Sequence, residues 1–398
     1  MSDAPAPPTL RSLVASVYLP TVLFAIGQGA VIPVIAITAT DLGASVALAG
    51  VIVAVRGIGT MVFDVPAGAL VGRLGERRAM VVGTAILAAA LLGCIASPNP
   101  FVFAAFLFVL GGGWALFLLA RLSYVTDVMP PDMRGRALST LGGVQRIGNF
   151  IGPFVGAAAI WAIGLDGAYL THVALAIASC VVLIAVPDPH TTTTTQHAHA
   201  PVASVLRDNR HAFTTIGAGA AILGVLRVCR QALVPLWGLQ IGLDAAQISL
   251  LFGISSAIDM LFFYPVGMAS DRFGRRAVAL PCLALLSIGF LAMPLTSSFA
   301  GLALVGALMG VGNGLGSGIV MTLGADLAPL EGRAAFLGAW RLVSDAGQAG
   351  GPLIAAAATA VATLGVASAS IGLLGFVGVA TFAVFLPSRP EAMTASSP

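Results

Sequence analysis

Six arginines and three aspartates lie inside long apolar segments of this 398-residue chain, where a charge costs roughly 2.5–3.5 kcal/mol if it faces hydrocarbon. We therefore expect these side chains to face a protein interior or a water-filled space. A carboxylate that alternates between a dry site and one beside an arginine takes up and releases a proton. The nine residues are Arg56, Arg121, Arg146, Arg227, Arg230, Arg341, Asp64, Asp259 and Asp345.

Two of the aspartates are candidates for proton coupling, because Asp259 and Asp345 fall near the middle of their apolar segments. Asp345 follows Arg341 by four residues, so a static ion pair along one helix is the competing interpretation for it. Asp259 has no obvious local partner in the sequence and is the favoured titrating group. Asp64 is closer to a segment end, where a gating contact with Arg121 is the preferred interpretation.

The elements that must position these charges are membrane helices. The chain is 58% hydrophobic and 9% charged, whereas soluble domains carry roughly 25% charged residues. About 20 apolar residues span a bilayer, and the runs lack the alternation of a β-barrel. We predict an all-α membrane protein with twelve helices at 13–39, 46–70, 79–97, 100–126, 137–163, 168–187, 212–240, 245–269, 277–296, 299–325, 334–363 and 366–387.

The sequence divides into two six-helix bundles at 13–187 and 212–387. Between them, 188–211 contains the polar run TTTTTQHAHA and is predicted to be a cytoplasmic linker. Residues 1–12 and 388–398 are predicted cytoplasmic ends, the first of them disordered. Arginines cluster in the termini and even-numbered loops, while the odd-numbered loops carry Asp41, Asp166 and Asp244 and no arginine. Both termini are therefore expected to be cytoplasmic, and the protein is expected in a bacterial plasma membrane.

An internal repeat supports the two-bundle division. Residues 199 positions apart match in type from the second helix to the fifth of each half, as in Arg73 with Arg272, Gly75 with Gly274, and Pro153 with Pro352. Parallel repeats of this kind place a substrate site near the middle of the membrane.

Two loop segments carry the first motif, GALVGRLGERR from Gly68 and GMASDRFGRR from Gly267. They resemble the loop signature G-x-x-x-D-R-x-G-R-R of the major facilitator superfamily. The second copy matches, whereas Gly72 stands at the aspartate position of the first. The resemblance implies gating roles in these loops, together with Asp64 and Arg121, for Gly68, Arg73, Gly75, Gly267, Asp271, Arg272 and Gly274.

The fifth helix carries Gly148-x-x-x-Gly152-Pro153-x-x-Gly156, which resembles the motif of the superfamily's drug:proton antiporters. Glycines four apart allow close helix approach, and proline permits a bend. Generic packing is the alternative interpretation, and packing alone is also expected for the glycine row at 306, 310, 314 and 318. The arginine that the family usually has just before Gly111 is absent.

In this family, helices 1, 4, 7 and 10 line the cavity. The candidates for substrate contact are Gln28, Arg227, Arg230, Gln231 and Asn313 on these helices, together with Arg56 on helix 2. Two arginines on helix 7 favour a carboxylate or phosphate on the substrate, with charge balance against Asp259 as the alternative.

The function expected is a secondary transporter that exports a small amphipathic compound in exchange for protons. A facilitator or proton symporter for an organic anion is the second hypothesis, and a membrane sensor on a transporter scaffold is a remote third. We find no phosphate-binding loop, Ser-His-Asp arrangement or metal-ligand spacing, so no enzyme activity, cofactor, metal or nucleic-acid partner is expected. The expected partners are a small-molecule substrate, protons and lipid, and the protein is expected to be a monomer.

Overall fold

The computed structural model of the protein describes residues 13–186, 207–329 and 333–387. The predicted ends at 1–12 and 388–398 and most of the predicted linker at 188–211 lie outside these residues. The described chain is helical throughout, as the apolar runs without alternation predicted. It forms twelve long helices: α1 Val14–Asp41, α2 Val46–Leu74, α3 Glu76–Ile95, α4 Pro100–Val128, α5 Pro131–Ile163, α6 Asp166–Ala185, α7 Arg210–Gln240, α8 Ala245–Phe273, α9 Arg275–Ala292, α10 Phe299–Leu327, α11 Arg333–Val361 and α12 Leu364–Phe385.

Eleven of these helices are long and apolar enough to cross a membrane. The twelfth, α11, is less apolar, and Arg341, Asp345 and Gln348 lie in its middle. Large apolar side chains on other helices are turned outward, with Val65 83%, Leu304 74% and Val384 72% exposed. Such a surface is stable only in contact with hydrocarbon, so the chain is a multi-pass membrane protein.

The described residues form two compact units. The first holds the chain up to Ile32 and from Val55 to Val186, and the second holds Pro33–Ala54 and the chain from Arg207 onward. The predicted bundles placed 33–54 in the first half. These residues group with the second unit because they pack on its helices. At Gly50, for instance, an added Cβ would lie 3.3 Å from the Cβ of Ala356 on α11.

The internal repeat is visible in the helix boundaries. α2 and α8 begin and end 199 residues apart, and α1 and α7 each have a π-helical turn near their start, at Val14–Tyr18 and Phe213–Gly217. The turn glycines Gly43 and Gly242 correspond in the same register, with φ of 92° and 82°.

α10 departs from the repeat. α4 is continuous, whereas α10 is broken into α10a, Phe299–Leu315, and α10b, Ile319–Leu327. The two halves are joined by a turn at residues 316–318, in which Gly318 has φ of 72°. A left-handed residue of this kind ends a helix and is tolerated best by glycine.

Candidate functional site

A polar cluster lies between α7, α8 and α10a of the second unit, and we call it the second-unit cluster. Its side chains are Arg227, Arg230, Ser255, Asp259 and Asn313. Arg230 donates through Nη1 to the hydroxyl of Ser255 at 3.0 Å, and that hydroxyl donates to the carbonyl of Gly306 at 2.7 Å. A guanidinium in the apolar interior is thereby tied to two neighbouring helices.

Asp259 is held from the helix that packs against it. Asn313 on α10a donates through Nδ2 to Oδ2 of Asp259 at 2.9 Å. Arg230 interacts electrostatically with the same carboxylate. The sequence had suggested no local partner for Asp259, because Asn313 lies 54 residues away along the chain. The charge-balance alternative for Arg230 thus has a structural basis.

Arg227 forms its hydrogen bond with the backbone. Its Nη2 donates to the carbonyl of Gly316 at 2.7 Å, at the break between α10a and α10b. The Nε atoms of both Arg227 and Arg230 are buried without a hydrogen-bond partner in the described chain. Gln231, the third predicted contact on α7, is partly exposed.

The first unit carries its own buried polar network around Arg121. Nη1 of Arg121 donates to Oε1 of Gln145 at 2.8 Å and to the hydroxyl of Thr21 at 3.3 Å. Gln145 donates in turn to Gln28 and to Asn149, each at 3.4 Å. The structure therefore brings two predicted residues, Gln28 and Arg121, into one network through Gln145. A latch between Arg121 and Asp64 stays a prediction.

Aromatic rings enclose the Arg121 guanidinium. Its Cζ lies 5.3 Å from the ring centre of Trp114 and 5.6 Å from that of Phe117, distances at which a cation is attracted to a π face. Phe24 stacks on both rings and meets His172 edge-on at 5.3 Å. His172 is buried, and neither ring nitrogen has a hydrogen-bond partner within the described residues.

Arg56 on α2 is partly buried, and it interacts electrostatically with His172. Its guanidinium forms no hydrogen bond or ion pair with the residues that the structure describes. An intramembrane cation without a counterion is costly, and it is the kind of group that an anion or water stabilises.

On α11, Asp345 interacts along its own helix. Oδ2 of Asp345 lies 3.4 Å from Nε of Arg341, and Gln348 donates to Oδ1 at 3.0 Å. This is the static ion pair that the four-residue spacing predicted as the alternative to proton coupling. The other coupling candidate, Asp259, has its contacts on α7 and α10a instead.

The glycines of the antiporter-type motif allow α5 to contact α1 closely. A Cβ at Gly148 would meet the side chain of Ala25, and a Cβ at Gly152 would lie 2.6 Å from Cα of Gly29. A Cβ at Gly156 would lie 2.9 Å from Cα of Ala30. Pro153 lies buried inside the same helix. Packing explains these four residues, whether or not they also act in transport.

The two loop motifs form tight turns in which Gly75 and Gly274 have φ of 79° and 86°. Gly68, Gly267, Arg73 and Arg272 are exposed, and Arg272 lies over the ring of Phe273 at 5.3 Å. The side chain of Asp271 lies outside the described part of the chain. Two later arginines, at equivalent positions of the repeat, contact backbone carbonyls: Arg77 donates to the carbonyl of Leu183 at 2.6 Å, and Arg276 to that of Leu386 at 3.4 Å.

The sequence analysis missed several site residues. Ser255, Thr21 and Gln145 are short or neutral polar side chains, which are common in membrane helices and give no signal by themselves. The carbonyl of Gly316 has no side-chain signature at all. The row at 306, 310, 314 and 318 was assigned to packing, which is wrong for Gly318: an added Cβ there would meet nothing within 4 Å, and the residue forms the turn.

Known proteins were compared with this sequence and fold. The profile described as Major Facilitator Superfamily matches residues 17–229 and 230–398. Multidrug resistance protein MdtH of Klebsiella pneumoniae subsp. pneumoniae is 25% identical over 369 residues, covering 90% of each chain. A solved POT family transporter in complex with a thioalcohol conjugated peptide superposes with a TM-score of 0.78 at 13% identity, covering 96% of this chain and 97% of that one. A D-xylose-proton symporter gives 0.69 at 18%, covering 95% and 98%. The chain belongs to the major facilitator superfamily and is a membrane transporter.

Proposed function

We propose that the protein is a proton-coupled exporter of small amphipathic compounds that works by alternating access. The name of the MdtH relatives, which match about nine-tenths of this chain, supports export of such compounds. The antiporter-type packing of α5 on α1 is consistent with that class.

The observation that carries the proposal is the setting of Asp259. This carboxylate lies within a membrane helix, accepts a hydrogen bond from Asn313 and interacts with the Arg230 guanidinium. A proton on Asp259 removes the negative charge that offsets Arg230, so protonation and the contacts of the cluster depend on each other. In this proposal Asp259 carries the proton, and Arg230 balances its charge when the proton leaves.

Everted membrane vesicles test this assignment. An inside-acid gradient is imposed, and accumulation of a panel of lipophilic cationic dyes is followed by fluorescence with and without a protonophore. We expect Asp259→Asn to reduce gradient-driven accumulation to the level of vesicles that lack the protein. Asp244→Asn is the matched control, because Asp244 caps α8 outside the membrane interior and asparagine caps helices equally well. Gradient-driven accumulation that persists in Asp259→Asn would disprove the assignment.

A second candidate function is facilitated transport or proton symport of an organic anion. It is favoured by Arg56, whose guanidinium has no counterion in the described chain. Counterflow of radiolabelled carboxylates in proteoliposomes separates the two functions. Exchange that is independent of a pH gradient, and that Arg56→Gln abolishes, supports an anion facilitator. Absence of counterflow for every carboxylate tested counts against it.

A further inference from the structure

The two halves of α10 share α9 as a neighbour, which contacts α10a at Gly312, but α8 packs against the first half and α11 against the second. In α10a, glycines approach α8 on three successive turns: an added Cβ at Gly306 would lie 3.0 Å from Leu251, at Gly310 2.5 Å from the carbonyl of Ser255, and at Gly314 2.9 Å from that of Asp259. Contacts this close leave α10a little freedom to move relative to α8.

The other half, α10b, is held by α11 and α9. Trp340 on α11 donates through Nε1 to the carbonyl of Val320 at 2.8 Å, and the ring of Trp340 lies against Gly324. Asp326 forms an ion pair with Arg275 of α9, with 3.0 Å between Oδ2 and Nε. We therefore expect a movement of α11 relative to α8 to be taken up between Leu315 and Ile319.

Arg227 is the side chain that stabilises this break. A break inside a membrane leaves carbonyl groups without helical partners, and each needs a donor from protein or water. Arg227 donates to Gly316, which is the C-terminal cap of α10a, and its positive charge also suits the negative end of that helix. At Gly316 an added Cβ would lie 2.7 Å from Nη2 of Arg227, so the guanidinium is packed directly on the turn.

The break is also joined to the coupling carboxylate. Asn313, which donates to Asp259, lies one helical turn before Gly316 on the same helix. The charged and titratable groups that interact within this region are Arg227 and Arg230 on α7 and Cys282 on α9. A change in the charge of Asp259 thus acts on the last turn of α10a through a direct contact.

We propose that residues 316–318 form a hinge in α10, that Arg227 is a positioning residue which holds this hinge rather than a substrate ligand, and that Asn313 transmits the charge of Asp259 to it. The last part rests on the proposed function, in which Asp259 gains and loses a proton. The hinge and its Arg227 cap do not depend on that function.

Hydrogen–deuterium exchange of the full-length protein in nanodiscs tests the cap without any substrate. We expect Arg227→Met to speed exchange of the backbone amides at 313–322 about tenfold, because a charged donor is lost from a buried carbonyl. Arg210→Met is the matched control: Arg210 lies at the exposed start of the same helix and should leave this exchange within twofold of the unmodified protein. Exchange of peptides from α3 and α12 shows whether the variant is folded. If exchange at 313–322 is unchanged in folded Arg227→Met, Arg227 does not cap α10a.

A double-mutant cycle tests the link to Asp259. Asp259→Asn and Asn313→Ala should each speed exchange at the hinge severalfold, and the double variant should be no faster than the faster single variant. Additive effects, or no effect of Asp259→Asn, overturn the link. Hydrogen–deuterium exchange is measured without transport, so the two proposals can fail separately. If vesicles with Asp259→Asn still accumulate dye, the proposed function is wrong, but the result on the hinge is unaffected.

Discussion

At the scale of single residues, three intramembrane arginines are stabilised by different neutral partners. Arg230 uses a hydroxyl, Arg227 a backbone carbonyl, and Arg121 an amide, a hydroxyl and two aromatic rings. Arg230 also interacts with the Asp259 carboxylate. A guanidinium that is held by neutral groups alone keeps its positive charge.

We expect Arg121→Met to lower the stability of the protein by about 1–3 kcal/mol, because Gln145 loses its charged donor and the stacked rings lose their cation. The stability of Arg121→Lys should lie between that of Arg121→Met and that of the unmodified protein, because lysine keeps the charge but lacks the planar guanidinium. Thermal unfolding in detergent, followed by tryptophan fluorescence, measures the loss. Exposed Arg136 on the same helix as Gln145 provides the control, and Arg136→Met should shift the midpoint little. Equal shifts for Arg121→Met and Arg136→Met contradict the network.

The sequence predicted which residues carry charge inside the membrane, because a charge among twenty apolar residues is visible by composition alone. Their partners were harder to predict. The i,i+4 pair Arg341–Asp345 was predictable because helix geometry fixes it, and it forms. The pair Asp259–Asn313 was not, because it depends on how α8 and α10a pack.

At the scale of elements, glycine does two different things in α10. Gly306, Gly310 and Gly314 are helical and allow close contact with α8, whereas Gly318 has φ of 72° and ends the helical path. The four-residue spacing is the same for all of them, so spacing alone assigns them to one class. Only the backbone angle separates a contact surface from a turn.

Gly318→Ala therefore tests the turn. An alanine in the left-handed region costs roughly 1–2 kcal/mol, and no neighbour within 4 Å of the added Cβ complicates the change. Gly338→Ala on α11 is the matched control: it also meets nothing within 4 Å, but its backbone is helical, where alanine is favoured over glycine by up to about 1 kcal/mol. We expect Gly318→Ala to lower the unfolding midpoint and Gly338→Ala to leave it unchanged or raise it. If Gly338→Ala lowers the unfolding midpoint more than Gly318→Ala does, the turn at Gly318 is not strained by alanine.

At the scale of the whole molecule, the two repeats share boundaries but differ in the loop that follows their second helix. In the second repeat Arg275 pairs with Asp326. In the first, Glu76 stands at the position of Arg275, and the hydroxyl of Ser123 donates to Glu76 and to Asp127, each at 3.4 Å. The repeat register predicted the helices well because both halves obey the same helix length and turn constraints. It did not predict this difference, since a side-chain pair is free to change while the turn is kept.

The orientation of the chain is the last prediction, and it follows from the distribution of arginine over the loops. Arg73, Arg77 and Arg78 follow α2, whereas the turn after α1 carries Asp41 and no arginine. Positively charged loops stay on the cytoplasmic side, so the turn at Gly43 should face outward and the loop at Gly75 inward. Alkaline phosphatase fused after Gly43 should be active and after Gly75 inactive, with the reverse for a fluorescent protein that folds only in the cytoplasm. Fusions after the repeat equivalents, Gly242 and Gly274, should repeat this pattern, because each bundle has an even number of spans. A reversed pattern at either pair means that the arginines do not set the topology, and it would move the motif loops to the outer face.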